Sequence, residues 1–505
     1  MRALVLALLL ASAAQAQPVG PAEANVAAAL ARIEAVNGEV NAVLALTPDI
    51  LAEARAMDRR RMARGPLYGL PVLVKDNIET RELPTTAGSL ALKDNRTGRD
   101  APLVARLRAA GAVILGKTNL SEWANFRGDT SISGWSGLGG QVRNPHALDR
   151  TPCGSSSGSG AAVAAGMVTA AIGTETDGSV VCPASINGIV GFKPSVGLVS
   201  RTHVVPISAS QDTAGPMTRD VRTAAILMNA MAGSDQADPA TVEADARAVD
   251  YVAGLRADAL KGARIAVLRS ATGWLAPVDL VFEEALAVLR AQGAVLVDVE
   301  APEGRAAMGE AEYKVLLSEF KAGLNAYLAS TPAAVPVRTL AEAIAFNEAN
   351  AARELGLFGQ ETFIAAEATK GLDDPEYLEA RATSLWLAGA DGIDAMLKAA
   401  DAVVLVAPTV SPAWMIDAVI GDQSPGRGGP TGYAAIAGYP HLTVPMGRVK
   451  GLPLGLSFVG TKWDDARVLA LGYGYEQASK AFVDAPLRAS VEGDPAVAPL
   501  LAPVR

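Results

Sequence analysis

A serine hydroxyl attacks an amide carbonyl only when some base takes its proton. Ser179 has the setting of a nucleophile: it closes the stretch "GTETDGS" (173–179), which follows the apolar run "MVTAAI". No histidine lies within twenty residues of it; the chain has three, His146, His203 and His441. A lysine can replace imidazole if it is neutral. Burial supplies neutrality, because desolvation penalises the ammonium and lowers its pKa by up to about 3–5 units. Lys75 ends the strand-like run "GLPVLVK" and so enters the fold with it. Its neighbour Asp76 favours the charged form only if it shares a face with the lysine, and successive strand residues face opposite ways. Between lysine and nucleophile, hydroxyls that both donate and accept can relay a proton. Ser155, Ser156 and Ser157 offer them in a Gly/Ser loop that runs straight into a helix of small residues.

These blocks resemble the amidase signature enzymes. "CGSSSGSGAAVAAG" (153–166) is similar to their Gly/Ser-rich segment, "GTETDGS" to their G-T-D-T-G-G-S, and "GLPVLVKDNI" to their lysine strand; "QDTAGPM" (211–217) matches a further block. The separations agree, 80 residues from Lys75 to Ser155 and 24 from Ser155 to Ser179. Within the family the likeness is to the branch that removes the C-terminal amide of peptides as ammonia, through "GKTNLSEWANFRGDTSISGWS" (116–136), "TPCGSSSGS" (151–159) and "ELGLFGQE" (354–361).

The resemblance implies Ser179 as the acyl-forming nucleophile and Lys75 as base, acting through Ser155, which the family holds behind a cis peptide bond. It implies an oxyanion hole of backbone amides from Thr176, Asp177, Gly178 and Ser179, with no metal and no organic cofactor. Two residues depart from the family pattern: Asp177 stands for a glycine and Val181 for an arginine. A carboxylate at Asp177 has to point away from the developing oxyanion, and a role in bonding its own loop is the expectation. Trp123, Phe126 and Trp135 are candidates for lining a peptide site, with core packing the plainer expectation for each.

Other motifs fail on context. "GAVILGKT" (111–118) has phosphate-loop spacing, but its four intervening residues read as strand, which turns their amides into a sheet. "GSSSG" (154–158) has the elbow pattern around Ser156 without the strand that must precede it. "SEFK" (318–321) lies in an amphipathic helix, unaccompanied by S-D-N or K-T-G. The histidines show no metal-binding spacing.

The elements that must position the three residues alternate along the chain. Residues 21–64 read as helical throughout. Strands are expected at 69–76, 112–117, 167–174 and 188–194, with helices at 101–111 and 159–166 between them. A strand–helix–strand unit spans 264–300, and residues 305–400 form a helical insertion. Runs at 401–409, 441–447 and 452–460 return to the sheet before a last helix. "GDQSPGRGGPTG" (421–432) reads as a mobile or substrate-facing loop. This is an α/β pattern: a single large domain, a mixed sheet covered on both faces by helices.

Composition bounds the rest. The chain has 505 residues and a formal charge of −9, and lacks a lysine/arginine block, which argues against nucleic acid. "MRALVLALLLASAAQAQ" carries one early charge, a short apolar run and an A-x-A close, so residues 1–16 are expected to be a cleaved signal peptide and 17–505 the exported enzyme, periplasmic or secreted. No later run is long enough for a membrane anchor, and a monomer is expected. Cys153 and Cys182 are the only cysteines. Export permits a bridge, but a chain this large does not need one, and two small buried thiols are the expectation. The expected activity is hydrolysis of peptide C-terminal amides to acid and ammonia. The rivals are fatty, aryl or aliphatic amides as substrates, an ammonia-supplying subunit for transfer-RNA amidation, which export contradicts, and a non-catalytic binding protein on the same scaffold.

Overall fold

The computed structural model describes residues 21–59, 64–424 and 429–503; the expected signal peptide lies outside them. Eleven strands form one sheet: β1 (Val43–Leu46), β2 (Pro71–Lys75), β3 (Val113–Thr118), β4 (Ala170–Glu175), β5 (Val190–Lys193), β6 (Thr213–Thr218), β7 (Arg264–Leu268), β8 (Val295–Val299), β9 (Val404–Pro408), β10 (His441–Val449) and β11 (Leu452–Val459). Their order across the sheet is β1-β3-β2-β4-β6-β5-β10-β11-β9-β7-β8. The pairs β3/β2, β2/β4, β9/β7 and β7/β8 are parallel and the others antiparallel, so the sheet is mixed.

The helices used below are α1 (Ala22–Val40), α2 (Ile50–Arg59), α3 (Pro102–Ala109), α4 (Ser157–Ala164), α5 (Val181–Ile186), α6 (Val221–Met231), α7 (Ala276–Ala291), α8 (Arg305–Ala329), α9 (Pro375–Ala388) and α10 (Asp465–Ser479). Strand alternation assigns them to faces. Val72 and Val74 of β2 belong to the core that α3, α6, α7 and α10 cover, whereas Leu73 belongs to the core under α1 and α4 on the other side. Lys75 has the same parity as Leu73 and therefore belongs to the α4 side. Burying each such aliphatic side chain contributes about 1.5–3 kcal/mol.

Local signals set the ends. Pro102 opens α3 at its first position, where a missing N–H costs nothing, and Gly111 takes φ +99° beyond its end. Asp220 caps α6 by accepting from the Thr223 N–H. The reading of residues 21–64 as helical throughout is corrected. α1 stops at Val40, Asn41 turns into the left-handed region, and β1 then pairs antiparallel with β3 at the sheet edge before α2 begins. "QDTAGPM" also contributes a strand, β6, that sequence periodicity did not disclose. The helical insertion is present: α8 lies along α9, and Phe320, Leu324 and Tyr327 of α8 pack on Trp123 and Phe126.

Candidate active site

β2 and β4 are parallel neighbours, with Val74 opposite Ile172. Their C-terminal ends therefore deliver Lys75 and the 174–179 loop to one edge of the sheet. α4 begins beside them, and the Gly/Ser loop before it carries Ser155. Two of the three candidate side chains, Lys75 and Ser155, meet directly, and the loop of the third, Ser179, joins them through its backbone. Lys75 is wholly buried and its Nζ lies 2.7 Å from Ser155 Oγ. Burial pushes its amine down to about 7, against the opposing pull of the Asp212 and Glu175 carboxylates. Asp76 faces elsewhere: its Oδ1 receives Lys117 Nζ at 3.0 Å, so the neighbouring charge is neutralised away from the site.

The peptide bond between Gly154 and Ser155 is cis. The Ser155 carbonyl accepts from the Ser121 N–H (3.1 Å), and the Ser156 N–H donates to the Ser179 carbonyl (3.2 Å), which ties the two serine loops side by side. A side chain at Gly154 would run into Ser121, and also into Asn125 and Ser133, so glycine is required by space. Gly178, before Ser179, is required by conformation, with φ +74°. Ser179 keeps 8% of its surface open.

Four residues that sequence reading did not single out hold this arrangement. Thr174 gives Lys75 two acceptors, its carbonyl at 3.2 Å and its hydroxyl at 2.8 Å. Asn77 donates from Nδ2 to that same hydroxyl at 2.9 Å. Glu175 Oε2 accepts the N–H groups of Val180 (2.7 Å) and Val181 (3.0 Å), fixing the start of α5 directly after Ser179. Burial pushes the Glu175 carboxyl up, while Lys193 and the N–H groups of Val181, Val180 and Gly178 pull it back. Asp212 accepts from Thr176 Oγ1 (2.6 Å) and from the N–H groups of Ile207 and Ser208. Thr174 and Glu175 stand inside the quoted "GTETDGS", and Asn77 and Asp212 inside "GLPVLVKDNI" and "QDTAGPM"; residue type alone did not show which way they face.

Of the four amides expected to bind an oxyanion, those of Thr176, Asp177 and Ser179 make no hydrogen bond among the described residues, whereas Gly178 contributes to the surroundings of Glu175. Asp177 is an exposed residue. Loss of hydration, and then Glu175, push its carboxyl up to about 6, with Arg305 and Lys193 opposing. Across from it Gln211 donates to Glu312 at 2.8 Å, and burial followed by Asp177 pushes Glu312 up to about 8. A small recess adjoins the site, bordered by Asn77, Thr174, Thr176, Arg201 and Asp212 among others.

Cys153 and Cys182 form a disulfide, with 6.0 Å between their Cα atoms. This corrects the expectation of two free thiols: the fold brings the two serine loops together, and the cysteines flanking them come within bonding reach. The aromatic candidates pack in the interior. Trp123 meets Phe363 edge-on at 5.6 Å, Phe126 meets Phe320 at 5.0 Å, and Trp135 meets Phe358 at 5.3 Å.

The competing motifs are accounted for. Residues 113–118 are β3 throughout, and Lys117 pairs with Asp76. Ser156 donates to the Thr174 carbonyl at 3.0 Å, and "SEFK" lies within α8. His146 contacts the Asn187 carbonyl and His441 contacts Ser457, both apart from Ser179's hydrogen bonds. Among the described residues no group of three or more His, Cys, Asp or Glu is arranged to hold a metal ion.

Comparison with known proteins shows the family. The Amidase family model matches residues 24–469. The crystal structure of native peptide amidase from Stenotrophomonas maltophilia superposes with a TM-score of 0.87 at 51% identity, covering 93% of this chain and 96% of that one. A structure of the peptide amidase PAM with the competitive inhibitor chymostatin gives 0.89 at 52% identity, covering 92% and 96%. A probable amidase of Arabidopsis thaliana is 38% identical over 466 residues, 89% of this chain and 85% of its own length.

Proposed function

The chain belongs to the amidase signature family of amide-cleaving serine hydrolases, and on that premise we propose that it hydrolyses C-terminal carboxamides of peptides with Ser179, Ser155 and Lys75. The observation that carries the chemistry is a buried amine, near 7, 2.7 Å from a serine hydroxyl beside the nucleophile loop. The substrate class rests on identity above one half with peptide amidases over more than nine-tenths of the chain.

Lys75, neutral, accepts the proton of Ser155. Ser155 takes that of Ser179 as Ser179 Oγ attacks the amide carbonyl. The amides of Thr176, Asp177 and Ser179 receive the developing oxyanion; loss of one side-chain donor in a comparable site costs about 2.7–4 kcal/mol. The proton returns through Ser155 to the leaving nitrogen, ammonia departs, and water activated by the same relay releases the acid.

Export belongs to the same proposal. The A-x-A close at residues 14–16 and the disulfide both support an oxidising compartment. N-terminal sequencing of exported protein is expected to begin at Gln17, and a chain that starts at Met1 in the cytosol sinks it.

The decisive experiment incubates the enzyme with a peptide amide and assays ammonia, beside fatty, aryl and short aliphatic amides. The peptide amide is expected to give the highest kcat/KM. A fatty or aryl amide turned over faster replaces the proposed substrate class.

A further inference from the structure

A neutral amine has two N–H bonds and one lone pair, and Lys75 Nζ has three close oxygens. For Lys75 to act as a base the lone pair has to face Ser155 Oγ, 2.7 Å away. Both N–H bonds are then left to Thr174, one to its carbonyl and one to its hydroxyl. The threonine hydroxyl carries a proton of its own. If that proton turns towards the amine it occupies the lone pair, and Ser155 meets an N–H instead: the same heavy atoms in an unproductive arrangement.

The neighbour that decides between the two is Asn77. It is buried, its Nδ2 as placed lies 2.9 Å from Thr174 Oγ1, and its Oδ1 has no hydrogen-bond partner among the described residues. The oxygen and nitrogen of a carboxamide occupy equivalent positions, so either can face the threonine. With the oxygen there, Thr174 donates its proton to Asn77 and accepts from Lys75. We propose that Asn77 is a positioning residue that works through Thr174 to aim the Lys75 lone pair at Ser155. The inference rests on the reading of Lys75, Ser155 and Ser179 given above. The charged groups facing the amine are Glu175, at the end of β4, and Asp212, ahead of β6; both favour the ammonium, so neither supplies this aim.

The test reads nucleophile activation without reference to substrate, as the rate at which a sulfonyl fluoride modifies Ser179, followed by intact and peptide mass across pH 5–10. Peptide-amide kinetics run in parallel. Thr174→Val and Asn77→Leu are expected to slow both sulfonylation and kcat by about 10- to 100-fold, with KM within twofold. Asn77→Asp keeps an acceptor for the threonine proton and adds a charge near the lysine. Its acid limb is therefore expected to move to higher pH, with the rate recovering above that limb. Asn77→Leu reacting within twofold of wild type, or Asn77→Asp as slow as Asn77→Leu at every pH, overturns the proposal. If Asn77→Leu does not fold, the near-isosteric Asn77→Asp decides alone: a sulfonylation rate that stays about 10-fold or more below wild type at every pH overturns the proposal. Should Ser179 of the wild type resist the reagent, or Lys75→Met react as fast as wild type, the triad falls and the inference with it. Sulfonylation without ammonia from peptide amides removes only the substrate class.

Discussion

Cys153 and Cys182 bind the two serine loops to each other covalently, one end two residues before Ser155 and the other three residues after Ser179. The bridge closes a sequence separation of 29 residues. Such a loop constrains the unfolded chain by roughly 3.6 kcal/mol, and it also holds the Ser155 and Ser179 loops together. The double variant Cys153→Ser/Cys182→Ser is expected to melt at lower temperature and to lose turnover well below that melting point. Calorimetry and an ammonia assay over a temperature series check this; turnover lost only on unfolding makes the bridge a matter of stability alone.

Lys75 sets the pH dependence. Its amine lies near 7 in the fold against an ordinary value of 10.5, so kcat/KM is expected to rise as pH increases through about 7 and the amine sheds its proton. Stability moves in the same direction for a separate reason. Between about 7 and 10.5 the unfolded chain holds the proton that the folded one has lost, so folding becomes more favourable as pH rises across that window. Lys75→Met is expected to abolish turnover while raising the thermal midpoint at pH 7. A Met variant less stable than wild type at pH 7 contradicts the buried, neutral lysine.

Ser179→Ala and Ser155→Ala separate attack from relay. Both are expected to lower kcat by about 10⁴-fold, but only Ser155→Ala retains the hydroxyl that forms a covalent acyl adduct. Mass spectrometry of each variant after incubation with an activated ester distinguishes them. An adduct on Ser155 in the Ser179→Ala protein reverses the two roles.

Asp177 places a carboxyl, near 6, on the loop of the proposed oxyanion donors. Above pH 6 it carries a charge that opposes the one developing on the substrate. Asp177→Asn is therefore expected to speed turnover of a neutral amide, with the ratio of variant to wild type climbing from about 1 at pH 5 to roughly tenfold at pH 8. A ratio flat across that range assigns the side chain a purely structural part.

The sequence made legible a buried lysine at a strand end, Lys75, and a Gly/Ser loop of candidate hydroxyls, of which the family resemblance singled out Ser155, the one that Lys75 meets. Thr174, Asn77, Glu175 and Asp212 stood in the same blocks and went unassigned, because their tasks depend on which atoms of another segment they meet. Glu175, for instance, is defined by the Val180 and Val181 amides it receives. The edge strand β1 was hidden for a related reason: "VLAL" has no alternation of its own and becomes a strand through its pairing with β3. The disulfide was unreadable because it depends on a 6.0 Å approach of two loops.

The pairing of Val74 with Ile172 fixes more than the sheet. Side chains on a strand change sides with every residue, so the enzyme's basicity is a matter of parity. Deleting a single residue from β2 would deliver Asp76 to the place of Lys75 and strand Lys117 without its counterion. The amino acids would be the same but one, and the pocket would present an acid where it had held a base.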